Sequence, residues 1–172
     1  FFFKQKTAYE IKEWEWSSDV CSSDLLAQYS PIAVLCLGQA EGRSEITPER
    51  VAINVMQARI PDNAGAQPQE EPVVPGGPVA YFSGLPLRGI VQRLRELDIP
   101  VSISNTAGTF VCNQVFYALQ HTWGKSHSAS GFVHLPCLPE QAERMSTKAP
   151  TPALALDVQV RAVRAIAELM LA

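Results

Sequence analysis

The chain has 172 residues, of which 47% are hydrophobic and 18% charged, and its formal net charge is −3. This composition predicts a folded globular domain, because disordered chains carry fewer apolar and more charged residues. No apolar run approaches the roughly 20 residues that cross a bilayer, and the basic residues form no stripe that would attract nucleic acid. We therefore expect neither a membrane nor a nucleic-acid partner.

The first 25 residues differ in character from the rest of the chain. They contain Trp14 and Trp16 beside a Ser/Asp-rich tail, SSDVCSSDL, with no periodicity and no apolar segment of the kind found in signal peptides. The stretch resembles the translated sequencing-adapter peptide that contaminates some assembled sequences. We therefore expect a non-native, disordered segment over residues 1–25 and one domain over 26–172; a genuine disordered extension is the alternative.

The first half of this domain predicts two strands and the loops that follow them. The apolar run over 31–37 is typical of a strand buried on both faces in a parallel sheet. A glycine-bearing loop over 38–44 follows at the end of the sheet where open α/β folds bind ligands, although it has no phosphate-binding spacing. A second strand is predicted over 51–55, and 59–65 has the composition of a tight turn.

The second half predicts alternating helices and strands. An amphipathic pattern predicts a helix over 87–97, and a β-branched run predicts a strand over 100–103. A helix follows Cys112, a short strand over 131–136 ends at a proline, and a closing helix spans 156–171 with Val160 and Val163 on its apolar face. This alternation predicts a single-domain α/β fold, a three-layer α/β/α sandwich with a mostly parallel mixed sheet.

Cys112 lies where a loop meets the start of a predicted helix. The first N–H groups of a helix and the positive end of its dipole favour thiolate over thiol, and so lower the pKa of a cysteine placed there. That is the setting of a nucleophilic cysteine, although a small buried hydrophobe remains the alternative. The four cysteines, Cys21, Cys36, Cys112 and Cys137, have neither disulfide-scaffold nor metal-ligand spacing. A reducing compartment, the cytoplasm, fits this usage.

A thiol nucleophile needs a base, and the base needs a group that orients it. His134 lies at the end of the predicted strand over 131–136, at the edge of the sheet where the other loops would line a ligand crevice. His121 and His127 are expected at the surface. Glu49 directly precedes a strand and could be drawn inward. A buried strand histidine and a surface or helix-capping glutamate are the alternatives for His134 and Glu49.

Four segments resemble the signature blocks of pyroglutamyl peptidase type I, a family of cysteine peptidases. They are GQAEGRSEITPERVAIN, ARIPDNAG, SNTAGTFVCNQVFYALQH and GFVHLPCLPEQ, in the family's order and spacing, and the resemblance extends from about Leu26 onward. It implies that Cys112 is the nucleophile, His134 the base and Glu49 the residue that orients His134.

The same resemblance implies a substrate and the residues that bind it. The substrate is a peptide with an N-terminal pyroglutamyl residue, which is hydrolysed without a metal or organic cofactor. Arg59 lies near the oxyanion, and the main chain of Gln39 contacts the lactam. Ile60, Phe110 and Val111 line the pyroglutamyl pocket. A homo-oligomer is a further possibility, because the family is often tetrameric.

Two departures from the family pattern leave alternatives open. Glu41 stands where the family has a glycine, and both the family's first strand and its aromatic loop of the form G-F-E-P-F-G-G are absent. We therefore expect a domain that lacks its first strand. The alternatives are another α/β cysteine hydrolase, a nucleoside-phosphorylase-like enzyme on a similar sheet, and an inactive remnant that retains the site residues.

Overall fold

The computed structural model describes residues 29–61, 65–124, 129–145 and 150–172. The strands are β1 (Val34–Gln39), β2 (Thr47–Pro48), β3 (Val51–Ile53), β4 (Ala80–Phe82) and β5 (Ser130–Leu135). The helices are α1 (Leu87–Glu96), α2 (Val111–Thr122), α3 (Pro139–Met145) and α4 (Leu156–Met170). The expectation for residues 1–25 lies outside the described residues.

The main sheet has the strand order β1-β5-β2 and is mixed, as predicted. Strand β5 runs parallel to β1, with Gly38 opposite His134, and antiparallel to β2, with Thr47 opposite His134. His134 therefore has a strand on each side, which fixes its backbone. Strand β1 is the outer strand of this sheet in the described residues and is only half-buried, so the expectation of burial on both faces is wrong for it.

The sheet lies between two helical layers, which the alternation of side chains along β5 demonstrates. Val133 belongs to one apolar cluster with Ile90 of α1 and Ile166 of α4. Phe132 belongs to a second cluster with Phe116 of α2. Because successive strand residues point to opposite faces, α1 and α4 cover one face and α2 the other. The predicted three-layer α/β/α fold is confirmed.

Other elements differ from the sequence predictions in detail. Strand β3 pairs with β4 in a separate antiparallel sheet, and β4 and α3 were not predicted. Residues 100–103 form no regular strand; Val101 makes an isolated parallel bridge with Ile46. Val160 is 51% exposed, so its assignment to the apolar face of α4 is wrong. Val163 is buried on that face as predicted, together with Ala162, Ala165 and Ile166.

Candidate active site

Cys112 is the second residue of α2, so the predicted loop-to-helix junction is confirmed. The helix begins at Val111, after Phe110 in an extended conformation with no side-chain cap. At this position the first backbone N–H groups have no acceptor within the helix. Cys112 thus lies where hydrogen-bond donors are available to an anion in front of the helix.

A glycine in β1 makes room for the thiol above the sheet. A β-carbon at Gly38 would lie 2.7 Å from Cζ of Phe132 and 3.2 Å from Sγ of Cys112. Gly38 of β1 is the direct neighbour of His134 of β5 in the parallel register. The sulfur of Cys112 therefore lies above Gly38, one strand away from His134. The rings of Phe132 and His134 are 4.9 Å apart between centroids and share the face that α2 covers. The fold therefore brings Cys112 and His134 to one face of the sheet.

The electrostatic state of Cys112 differs from the sequence expectation. Burial raises the pKa of the Cys112 thiol above its ordinary value of 9.0, and the negative charge of Glu49 raises it further. Arg43 and a hydrogen bond from the backbone of Cys112 itself lower this pKa by less. The expected lowering of this pKa is therefore wrong, because burial and the charge of Glu49 outweigh Arg43 and the backbone hydrogen bond.

His134 and Glu49 form a buried pair. Nδ1 of His134 lies 2.7 Å from Oε1 of Glu49, and the two side chains are 5% and 0% exposed. The alternative of a surface or capping role for Glu49 is wrong. A carboxylate can only accept, so Nδ1 carries the hydrogen and Nε2 is the nitrogen left to take a proton. This is the arrangement of a base with its orienting group.

Arg43 completes a charged cluster that the sequence analysis missed. Its Nη1 donates to Oε1 of Glu49 at 2.9 Å and also to Oγ1 of Thr47. Its Nη2 donates to the carbonyl of Thr106 at 3.3 Å, in the loop before α2. Arg43 precedes Glu49 by six residues within one of the quoted family-like segments, but nothing in that spacing shows that its side chain turns back to the carboxylate.

Asn113 fixes the start of α2, and this role was also missed. Its side chain is fully buried, accepts from the N–H of Ile53, and donates to the carbonyls of Ile53 and Val55 at 2.9 and 3.1 Å. At the other end of α2, Gln120 donates to the carbonyl of Ser130 in β5. Two buried amides thus hold the helix that carries Cys112.

Of the five residues expected to bind substrate, four are exposed and Val111 is half-buried, whereas His134 and Glu49 are buried. Ile60 is 52% exposed and Phe110 38%, and Val111 is half-buried. Arg59 is exposed, and no hydrogen bond or ion pair joins its guanidinium to another described residue. Gln39, at the end of β1, donates its side chain to Sγ of Cys137 at 3.0 Å. The roles of these five residues stay predictions.

The remaining cysteines and histidines lie elsewhere. Cys137 is fully buried behind Gln39, and neither it nor Cys36 or Cys112 forms a disulfide with a described residue. His121 is half-buried and bonds Tyr81 through Nδ1 at 2.9 Å, so its expected surface position is only partly correct. His127 lies outside the described residues.

The described residues offer no metal site and no membrane-spanning helix, but they do form one further groove. They contain no group of three or more His, Cys, Asp or Glu side chains able to hold a metal ion. None of their helices has the length and apolar character needed to span a membrane. An open groove of about 570 Å³ along α1 contains neither Cys112, His134 nor Glu49 and is lined by Arg88, Val91, Gln92, Arg95, Glu96 and Ile103.

Comparison with known proteins agrees with this geometry. The family described as pyroglutamyl peptidase matches residues 14–172. The chain belongs to the pyroglutamyl peptidase family. A pyrrolidone-carboxylate peptidase from Vibrio parahaemolyticus is 49% identical over 148 residues, which cover 86% of this chain and 68% of that protein. One from Gloeobacter violaceus is 47% identical over 155 residues, covering 90% and 74%.

Solved pyroglutamyl peptidase structures have the same fold. Pyroglutamyl peptidase I from Bacillus amyloliquefaciens superposes with a TM-score of 0.79 at 44% identity, covering 86% of this chain and 69% of that one. A mutant pyrrolidone carboxyl peptidase from Pyrococcus furiosus gives 0.80 at 40%, covering 86% and 73%. The chain thus spans about two thirds to three quarters of these relatives. The predicted family, fold and class of enzyme, a cysteine hydrolase, are confirmed.

Proposed function

We propose that this chain hydrolyses the peptide bond after an N-terminal pyroglutamyl residue, with Cys112 as nucleophile, His134 as base and Glu49 as the orienting carboxylate. The observation that carries the proposal is the buried contact of His134 Nδ1 with Glu49 Oε1 at 2.7 Å, on the sheet face that Cys112 overlies. Family membership supplies the reaction class, and this contact supplies residues that could perform it.

In the proposed first step, Nε2 of His134 takes the proton of Cys112 Sγ, and the thiolate attacks the pyroglutamyl carbonyl. Glu49 stabilises the imidazolium that forms. The raised pKa of the thiol is compatible with this order, because Cys112 stays protonated until His134 accepts its proton during attack. Glu49 therefore disfavours an isolated thiolate but favours the thiolate–imidazolium pair.

The oxyanion of the tetrahedral intermediate would accept hydrogen bonds from the N–H groups at the start of α2, assisted by Arg59. One such donor is worth about 2.7–4 kcal/mol in other enzymes. The imidazolium of His134 then protonates the leaving amine, and a thioester between Cys112 and the pyroglutamyl group remains. Water, deprotonated by His134, hydrolyses the thioester and releases pyroglutamate.

Specificity would come from the lactam ring of the substrate. We assign its polar edge to the main chain of Gln39 and its apolar faces to Ile60, Phe110 and Val111. A site built to pair an N–H and a C=O rejects analogues that lack them, because its own polar groups are then left unpaired. The partly exposed side chains of Ile60 and Phe110 are available for such contact.

The setting proposed for this activity is the cytoplasm, where a reducing environment keeps a nucleophilic cysteine as a thiol. Cys36, Cys112 and Cys137 form no disulfide with one another, which is compatible with that setting.

We also propose that the chain forms a homo-oligomer. Two exposed apolar side chains support this proposal: Val79, which directly precedes β4, and Phe82, the last residue of β4. Sedimentation of the purified chain measures this state directly.

A fluorogenic pyroglutamyl amide tests the proposed activity. We expect Cys112→Ala to abolish turnover without changing the circular-dichroism spectrum. Cys36→Ala is the matched control, because Cys36 is a half-buried cysteine that packs in the same apolar cluster, and it should keep parent-like turnover. Hydrolysis by Cys112→Ala at more than a few per cent of the parent rate would reject Cys112 as nucleophile. No turnover by a folded parent chain would favour the inactive-remnant alternative.

A further inference from the structure

Arg43 contacts the proposed triad from outside it, at the end of the loop that follows β1. We propose that Arg43 is a positioning residue of the proposed reaction, whose guanidinium pairs with the Glu49 carboxylate and holds it turned toward His134. This inference rests on the proposed function, because it assigns Arg43 a task within the same site.

The first support is the environment of Glu49. Its side chain is fully buried, and burial of an ionised carboxylate is costly unless a cation is paired with it. Arg43 lies 2.9 Å away, and the side chain of Arg43 is only 27% exposed. An arginine stays protonated throughout the working pH range, whereas a histidine does not. Arg43 is therefore a permanent counter-charge beside the buried Glu49 carboxylate, whichever protonation state His134 adopts.

The second support is geometric. Nη1 of Arg43 and Nδ1 of His134 both lie within hydrogen-bond distance of the same oxygen, Oε1 of Glu49. Oε2 is buried and has no hydrogen-bond partner among the described residues. The rotation of the carboxylate is thus set by contacts on one oxygen. Without Arg43, only the contact with His134 would hold that rotation in place.

The third support is the set of other groups that Arg43 joins. It donates to Oγ1 of Thr47, which in turn donates to the carbonyl of His134 at 3.4 Å. It also donates to the carbonyl of Thr106, six residues before Cys112. One guanidinium therefore contacts the orienting carboxylate, the strand beside the base and the loop that leads to the nucleophile.

The charge of Arg43 also acts on the nucleophile. Its positive charge lowers the pKa of the Cys112 thiol, against the larger effects of burial and of Glu49. Removing this charge would therefore make the thiolate harder to form. A tether that only held the loop in place would not have this effect, so the pH dependence of thiol reactivity separates the two roles.

The test measures alkylation of Cys112 by iodoacetamide across pH, read by peptide mass spectrometry, together with kcat and KM for a fluorogenic pyroglutamyl amide. In Arg43→Gln we expect the rate of Cys112 alkylation to begin rising at a higher pH than in the parent. We also expect kcat to fall about tenfold or more, the scale of a lost hydrogen bond to a charged group. KM should change little. Arg43→Lys should keep the alkylation profile close to the parent's, because it keeps the charge, but should recover only part of kcat.

Arg50→Gln is the matched control. Arg50 is an exposed arginine that holds the same loop through Oδ1 of Asn105 at 2.7 Å, and no described contact joins its side chain to Glu49. Its removal should leave the alkylation profile in place. If Arg43→Gln and Arg50→Gln both behave like the parent, the positioning role is wrong. If Arg43→Gln fails to unfold cooperatively, Arg43→Lys decides, and a parent-like kcat in that variant would overturn the proposal.

The alkylation assay needs no pyroglutamyl substrate, so the two proposals can fail separately. A parent Cys112 that alkylates normally, in a chain that does not hydrolyse pyroglutamyl amides, would count against the proposed function alone. A parent that hydrolyses them, with an alkylation profile and kcat insensitive to Arg43, would count against this inference alone.

Discussion

Folding shields two weak acids from water, the thiol of the half-buried Cys112 and the hydroxyl of the fully buried Tyr117. Burial raises the pKa of the Cys112 thiol, and the negative charge of Glu49 raises it further. Burial also raises the pKa of the Tyr117 hydroxyl, and the nearby Tyr81 adds a smaller increase. The Tyr117 hydroxyl also donates to the carbonyl of Pro78 at 2.6 Å. The native structure is therefore more stable when both groups are protonated.

This dependence predicts how stability changes at alkaline pH. A group whose pKa is higher in the native than in the unfolded state stabilises the fold fully below its unfolded pKa, and this contribution is lost as pH rises through its native pKa. The ordinary values are 9.0 for Cys112 and 10.0 for Tyr117. The thermal midpoint should therefore fall as pH rises above about 9.

Two tyrosine variants measure how much of this fall in thermal midpoint with pH comes from Tyr117. Tyr117→Phe should start from a lower midpoint, because it loses the hydrogen bond to Pro78, but should lose less stability between neutral and alkaline pH. Tyr29→Phe, which removes the hydroxyl of a 61% exposed tyrosine, should keep the parent slope. The account is wrong for Tyr117 if Tyr117→Phe and Tyr29→Phe lose stability with equal slopes.

At the scale of elements, α2 is held at both ends by buried amides, Asn113 toward β3 and Gln120 toward β5. The three hydrogen bonds of Asn113 fix the first turn of the helix, where Cys112 lies. The position of Cys112 thus depends on a side chain outside the proposed triad.

Asn113→Ala should lower both stability and turnover. Leaving the backbone groups of Ile53 and Val55 without their partner should cost about 2–3 kcal/mol, which corresponds to a fall in thermal midpoint of roughly 5–10 °C for a chain of this size. Asn105→Ala removes an exposed asparagine whose side chain accepts from Arg50, and it should change the midpoint little. Equal midpoints for the two variants would contradict the role given to Asn113.

Sequence patterns predicted the long elements and the short strand β3, and missed the short elements β2, β4 and α3. The helices α1, α2 and α4 and the strands β1 and β5 follow from apolar patterns of sufficient length. Strand β4 has three residues and α3 has seven, too few to establish a period. The apolar face of α4 was misplaced at Val160 because several apolar spacings fit this alanine- and valine-rich helix. Only packing against α1 selects the buried one.

At the scale of the whole molecule, the three layers bring distant parts of the chain together above β5. Resemblance to the family identified Cys112, His134 and Glu49 as the candidate triad. The fold explains why His134 and Glu49 meet, since β2 places Thr47 opposite His134 two residues before Glu49. The contacts of Arg43 and Asn113 could not be predicted, because they depend on where side chains turn after the backbone is folded. The pKa of Cys112 was misjudged for the same reason, since local position gave the helix terminus but not the burial.

The most direct test of the proposed triad uses a pyroglutamyl chloromethyl ketone. This electrophile contains the pyroglutamyl ring of the proposed substrate and alkylates a cysteine that lies beside the bound ring. Intact mass and peptide mapping of the treated chain should show one adduct, on Cys112. That adduct should be absent in Cys112→Ser and should form about tenfold or more slowly in Glu49→Gln, which loses the charge that stabilises the His134 imidazolium. Adducts on Cys36 or Cys137 instead, or equal labelling rates in the parent and Glu49→Gln, would contradict the proposed triad.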